Sequence, residues 1–178
     1  MAEIRLALPE DLPRIMEIYR SAQEYMIKNG NPDQWRHVYP SVAHVARDIE
    51  RGFCRVLVAD GVIRAAAAIC AGEDPSYRDI KDGKWIREGK YVAIHRVASD
   101  GSLRGVFRAF SDLAKSISPD VRVDTHRDNR IMQQKIGEEG FVRCGTVFAE
   151  DGTPRIAYQW IDKAGASDSD AESSFFAP

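Results

Sequence analysis

Cysteine is scarce in this chain, with three in 178 residues: Cys54, Cys70 and Cys144. Their odd number and wide separation exclude a disulfide framework, a CxxC motif and a zinc-finger spacing. No other spacing suggests a metal, so none is expected. Each cysteine lies in an apolar, strand-like context, where a free thiol behaves as a small buried hydrophobe. A long apolar run is also missing. The stretch Ala65 to Ala71 is far too short to cross a bilayer, and Met1-Ala2-Glu3-Ile4-Arg5 lacks the apolar core of a signal peptide. Together with unpaired thiols, this points to a reducing, cytoplasmic location and away from membranes. Excess charge of either sign is absent too: 25 Lys and Arg against 27 Asp and Glu leave a net charge of −2. A nucleic-acid partner, which calls for a basic surface, is not expected. Internal repeats are absent.

What is present is the composition of a folded domain. Hydrophobic residues make up 44% and charged residues 29% of the chain, enough for one soluble domain with a real core. Ile4 to Leu8 alternates as a strand. Pro9-Glu10-Asp11 opens a helix with Leu12, Ile15, Met16, Tyr19, Ala22 and Met26 at helical spacing, ended by Asn29-Gly30. A loop over residues 31–40 is rich in aromatic and polar groups. Ser41 then caps a helix carrying Val42, Val45, Ala46 and Ile49, closed by Gly52. Cys54 to Ala59, Asp60-Gly61 and Val62 to Ala71 form a β-hairpin. Residues 72–89 are a polar excursion, long enough to suggest a functional loop or a lid. A strand over 91–98, a helix over 105–116 and a strand from Val121 to Thr125 follow, which implies a parallel pairing. A short helix starts at Asp128 or Asn129 and ends at Gly140. A closing hairpin runs from Phe141 to Ala149 and from Pro154 to Trp160. From Ala164 the chain has little to bury, and residues 164–178 are expected to be disordered.

One junction carries chemistry. Arg104-Gly105-Val106-Phe107-Arg108 lies between an apolar strand and an amphipathic helix. Free N–H groups and the dipole at a helix start attract anions, and Arg104 and Arg108 could add charge-assisted hydrogen bonds to phosphate oxygens. The spacing alone equally fits an ordinary helix start with solvated arginines.

The element order β-α-α-β-β-β-α-β-α-β-β, with an Arg-Gly loop after the fourth strand, resembles the GNAT family of acyl-CoA N-acyltransferases. Ile94-His95-Arg96-Val97-Ala98 looks like the family's fourth strand. Arg104-Gly105-Val106-Phe107 falls at its phosphate loop, Val123-Asp124-Thr125-His126 at its fifth strand, Asn129 with Gly140-Phe141 at its N-x(10)-G-F segment, and Glu150 to Tyr158 at its terminal hairpin. The resemblance spans about residues 2–161, so that an acyltransferase domain would occupy 1–163. It implies a single-domain α/β fold: a mixed sheet of about seven strands, splayed between strands 4 and 5, flanked by four helices. It also implies acetyl-CoA as cosubstrate and a small primary amine as acceptor, joined in a ternary complex by direct attack. A non-catalytic acyl-CoA-binding or protein-interaction module and a peptide or protein N-acetyltransferase are the rival readings, and a homodimer is left open.

On this resemblance the pantetheine arm lies in the gap between strands 4 and 5. A backbone N–H near Val97 or Ala98 polarises the thioester carbonyl, and Val97 and Ser99 pair with the pantetheine amides. Arg104, Gly105, Val106, Phe107, Arg108 and Asn129 complete the coenzyme site. The chain departs from the family at two places. Phe107 stands where the loop has Gly or Ala and would crowd the backbone's approach to a pyrophosphate. Ile136 stands where many members have the tyrosine that protonates the leaving thiolate.

The candidate bases are His126, Asp124 and His95. Strand alternation carried past Thr125 puts Asp124 and His126 on one face, a carboxylate and imidazole pair suited to a base near neutrality. His126 read alone also fits a solvated loop residue. His95, inside an apolar strand, also fits a satisfied core histidine, with Arg96 on the opposite face in need of a carboxylate. Tyr25, Gln34, Trp35, Tyr39 and Tyr158 fall where the family holds its acceptor. Aromatic rings with polar tips suit a small amphiphilic amine, although Trp35 and Tyr39 would equally serve to pack the loop.

Overall fold

The computed structural model describes residues 2–72 and 74–163, so the expectation of a disordered tail over 164–178 lies outside the described residues. The sheet has seven strands: β1 (Ala2–Leu6), β2 (Cys54–Ala59), β3 (Val62–Ala71), β4 (Val92–Ser99), β5 (Asp120–Thr125), β6 (Val142–Phe148) and β7 (Pro154–Ile161). Their spatial order is β1-β2-β3-β4-β5-β7-β6. Four helices flank it: α1 (Leu12–Lys28), α2 (Val42–Glu50), α3 (Val106–Ile117) and α4 (Arg130–Glu138). Among the described residues no helix is long and apolar enough to cross a membrane.

Local chemistry explains most boundaries. Pro9–Asp11 forms a 3₁₀ turn ahead of α1 rather than its first turn. There the Asp11 carboxylate accepts the Leu8 N–H at 2.8 Å and both Arg5 guanidinium nitrogens, at 2.6 and 3.1 Å. Ser41 caps α2 through its Oγ, which accepts the His44 N–H at 3.4 Å. In the β2–β3 turn Asp60 and Gly61 have φ of 51° and 74°. Two successive left-handed residues match the twist of paired strands, which is why Asp-Gly is favoured there.

Two cores lie on opposite faces of the sheet. On one face Phe107, Phe110, Ile94, Val123, Ile136 and Phe141 join α3 and α4 to the strands. On the other, Ile15, Ile18, Tyr19, Trp35, Val45 and Val56 join α1 and α2. The excursion over 72–89 covers the rest of that second face. It is a packed layer rather than a hinged lid: Tyr77 and Trp85 are buried. Arg122 of β5 stacks between the rings of Trp85 and Tyr91, at 4.1 and 4.0 Å. Lys81 and Thr146 exchange two backbone hydrogen bonds of 2.8 Å, so the segment partly covers the edge of β6. Gly83 permits this, since a Cβ there would stand 1.9 Å from the Cys144 carbonyl oxygen.

Two irregularities in β4 shape everything that follows. The only parallel pair among the described residues, β4 with β5, holds at Val92↔Val121, Ala93↔Arg122 and Ile94↔Val123 and goes no further. Beyond Ile94 the strands part. At the same level β4 carries a bulge: Ala68 faces His95 while Ala66 faces Ala98. One extra residue of β4 is accommodated there, and Arg96 takes a left-handed φ of 56°.

Candidate functional site

A cleft of about 1080 Å³ opens where β4 and β5 separate, walled by the 31–40 loop, α2, residues 70–72 and 74–76 and the β6–β7 end. The bulge decides what faces it. Ala66 packs with α1 and α2, and Ala68, two residues on, shares that face. His95, opposite Ala68, is on it as well. Arg96 follows on the same side, because its guanidinium grips Asp48 of α2 in two parallel bonds of 2.8 and 2.9 Å. The expectation that Arg96 lies on the opposite face is therefore corrected, while its need for a carboxylate is met. A third bond of 2.7 Å runs from Arg96 Nη1 to the Tyr39 hydroxyl oxygen.

His95 stands between two carboxylates. Its Nε2 is 2.8 Å from Asp74 Oδ2, and its Nδ1 is 3.8 Å from Asp124 Oδ2. The Asp74 contact is at ion-pair distance but off the N–H axis, which leaves Nε2 without a linear hydrogen bond. Burial alone would raise the Asp74 carboxyl. The His95 contact and two bonds from Ser76 outweigh it and hold Asp74 well below the usual carboxylate range. Asp124 accepts the Tyr77 hydroxyl at 2.7 Å, and Arg155 Nε lies 4.0 Å from its other oxygen. Asp124 and His95 thus meet across the gap.

His126 does not join them. β5 ends at Thr125, so strand alternation no longer governs the next side chain. The His126 ring is buried in the turn before α4, where Nδ1 accepts the Asp128 N–H at 3.3 Å. Burial, followed by the charges of Arg155 and Arg127, holds its pKa below that of a free imidazole. The cleft wall does not include it.

The expected acceptor residues divide. Trp35 and Tyr39 line the cleft, with Trp35 edge-on to both Tyr19 and Tyr39 at 5.7 and 6.3 Å. Gln34 lines it too. Its Oε1 accepts amide N–H groups of Asn31 and Asn129 at 2.8 and 2.9 Å, which ties the loop to α4. Tyr25 is exposed and borders a separate shallow groove with Ile131. Tyr158 pairs with Val123 and is buried in the α3–α4 core, and it is not part of the cleft wall.

At the expected coenzyme end, Val97 lines the cleft, Ala98 is buried against α1 and α2, and the Ser99 Oγ accepts the Gly101 N–H at 3.4 Å. Gly105 precedes α3 with φ of 71° and brings no capping side chain. The first intrahelical bond, from Ala109 N–H to the Gly105 carbonyl, leaves the N–H groups of Val106, Phe107 and Arg108 without helical acceptors. Arg104 beside them is exposed and makes no ion pair with the described residues. Arg108 is engaged elsewhere, donating to Glu139 of the α4 C-terminus at 2.9 Å. Phe107 turns its ring inward against Phe141, 6.2 Å between centroids, so the backbone rather than the ring faces outward. Asn129 caps α4 by accepting the Met132 N–H at 3.1 Å. Ile136 is fully buried. Among the described residues no group of three or more His, Cys, Asp or Glu side chains is arranged to hold a metal ion.

The residues missed from the sequence are Asp48, Asp74, Arg96 and Arg155. Two of them left a signal: Arg96 is a charge within an apolar strand, and Asp48 occupies the inward stripe of α2 with Val45, where an apolar side chain is expected.

No family model matches the chain, and neither does any curated protein sequence. Solved structures do. A GNAT-family acetyltransferase from Streptococcus agalactiae 2603 superposes with a TM-score of 0.82 at 32% identity, over 91% of this chain and 96% of that one. A GNAT-family acetyltransferase from Listeria monocytogenes 4b F2365 matches at 0.67 and 19% identity, over 90% and 95% of the two chains. The yncA protein of Salmonella typhimurium, solved with its cofactor acetyl-CoA, matches at 0.59 and 16%, over 94% and 98%. The two more distant likenesses bear on the fold alone. The Streptococcus protein shares both the fold and a third of its residues along nearly the whole length, and with the parted β4–β5 pair and the uncapped α3 start it places this chain in the GNAT family of acetyltransferases.

Proposed function

We infer that the protein transfers an acetyl group from acetyl-CoA to a primary amine of a small molecule, by direct attack within a ternary complex. The observation that carries this reading is His95, held between Asp74 and Asp124 on the cleft wall at the point where β4 and β5 part. An amine must lose a proton as it attacks a thioester carbonyl. His95 takes that proton, and the two carboxylates orient the ring and stabilise the imidazolium that forms. The N–H of Val97, next to the bulge, polarises the carbonyl oxygen. Trp35 and Tyr39 give the acceptor an aromatic wall.

Direct attack, rather than an acyl-cysteine intermediate, is supported by the thiols. Burial pushes Cys54 and Cys70 up to about 12 and raises Cys144 as well. The thiolate, not the thiol, is the nucleophile. The test of the reading is release of free CoA from acetyl-CoA over a panel of small amines. Loss of transfer with every amine, from protein that still folds, would overturn it.

The coenzyme phosphates are assigned to the α3 start, with Arg104 supplying the charge. Arg104→Ala should weaken CoA binding by about 1.5–3 kcal/mol, the range of a charged hydrogen bond, and the difference should shrink as salt rises. Arg108→Ala should do far less, because that side chain already serves Glu139. Calorimetric titration of both variants with CoA checks this, and equal affinities in wild type and Arg104→Ala would remove the assignment.

A further inference from the structure

Acetyl transfer from a thioester leaves a thiolate that needs a proton, and the family position that often supplies it is Ile136, fully buried in the α3–α4 core. We propose that the hydroxyl of Tyr39, held by the Arg96–Asp48 pair, is the acid that protonates the leaving sulfur. This assignment rests on the acetyltransferase reading above and gives Tyr39 a role beyond lining the acceptor wall.

Tyr39 lies on the cleft wall, half-buried, at the end of the 31–40 loop. Its oxygen accepts from Arg96 Nη1 at 2.7 Å. A phenol that accepts one hydrogen bond keeps its own hydrogen to donate elsewhere. The guanidinium that binds it is fixed at both ends, by two bonds to Asp48 and by the bulge that turns Arg96 toward the cleft. Because of the bulge His95 and Arg96 are successive residues on one face, so the base and the Arg96–Tyr39 pair stand side by side at the mouth of the gap. The charged and titratable groups around the phenol are Arg96 from β4, Asp48 and His44 from α2, Tyr19 from α1 and Asp124 from β5. Tyr39, tied to Arg96 of β4, and Asp124 of β5 both line the cleft, on either side of the gap. Burial raises the phenol's pKa, and the Arg96 charge and hydrogen bond oppose that rise. The neutral, proton-bearing form therefore prevails at neutral pH, and the guanidinium steadies the tyrosinate formed when the proton leaves.

The proton count closes. The amine nitrogen attacks the carbonyl carbon and a C–N bond forms. The C–S bond breaks with its electron pair on sulfur. The Tyr39 proton moves to sulfur to give the thiol. The proton taken from the amine by His95 replaces it through solvent, leaving both side chains as they began.

The test is Tyr39→Phe, which keeps the ring against Trp35 and His44 and removes only the hydroxyl. With acetyl-CoA and an amine that the wild type acetylates, kcat should fall by roughly 10²–10⁴-fold, the contribution usual for general acid catalysis. The KM for acetyl-CoA and the melting temperature should stay near wild type. The decline of kcat on the alkaline side should vanish in the variant. In wild-type protein labelled with 3-fluorotyrosine, whose phenol is more acidic, that decline should move to lower pH. A Tyr39→Phe enzyme with kcat within a few-fold of wild type and an unchanged alkaline decline overturns the acid. So does a rise confined to the KM for the amine, which would leave Tyr39 as a wall of the acceptor site. A wild-type protein that acetylates no amine overturns the acetyltransferase reading itself, and this assignment falls with it.

Discussion

His95→Ala lowers kcat by roughly 10²–10⁴-fold, the range of a lost general base, while CoA affinity stays at the wild-type level. The α3 start, to which the coenzyme phosphates are assigned, is built from other residues, so binding and chemistry should separate. His126→Ala is the matched control. That ring is buried in the α4 entry turn, where it accepts the Asp128 N–H, so its loss should cost stability and leave turnover within a few-fold. The opposite pattern, turnover abolished by His126→Ala and kept by His95→Ala, would return the base to β5. The pairing with Asp74 should survive mild acid. The Asp74 pKa is lower folded than unfolded, so its contribution to stability is complete above the unfolded value of about 3.9. It is lost only as pH falls through the depressed folded value.

The parts of the fold that could be read from the sequence are those set by local periodicity and turn chemistry. Asp60-Gly61 announces the β2–β3 hairpin because two left-handed residues are needed there. The strand, amphipathic helix and strand from residue 91 to 125 announce the parallel β4–β5 pair. What could not be read depends on pairing between distant strands. The bulge at Arg96 exists only because β3 offers one residue fewer than β4 between two aligned pairs. Without it, strand alternation sends His95 and Arg96 to opposite faces. With it they share one, and the cleft gains an imidazole and a guanidinium together. His126 lies one residue beyond a strand that ends at Thr125, so alternation does not govern it and its ring enters the turn before α4. Asp74 belongs to an excursion with no periodicity, and nothing in its neighbourhood points to His95.

Phe107→Ala should destabilise the protein by about 3–5 kcal/mol, the cost of emptying a buried aromatic site. For a domain of this size that corresponds to a fall in melting temperature on the order of 10 °C. By sequence the position departs from the family's loop, which has Gly or Ala there. The structure gives it a different meaning. Phe107 is 2% exposed, and its ring packs against Phe141 in the core beneath α3. Gly105 takes the left-handed conformation just before the helix, with open space where a Cβ would stand. The chain thus enters the helix in a geometry that leaves the Phe107 N–H without a helical acceptor while its side chain points away from it. Crowding of a pyrophosphate by the ring is not expected. Phe107→Gly should accordingly fail to improve CoA affinity and should unfold more readily than Phe107→Ala, since glycine adds about 1 kcal/mol of helix cost. Thermal unfolding and CoA titration of both variants decide the matter. Tighter CoA binding in either variant, with an unchanged melting temperature, would mean that the ring obstructs the loop rather than anchoring it.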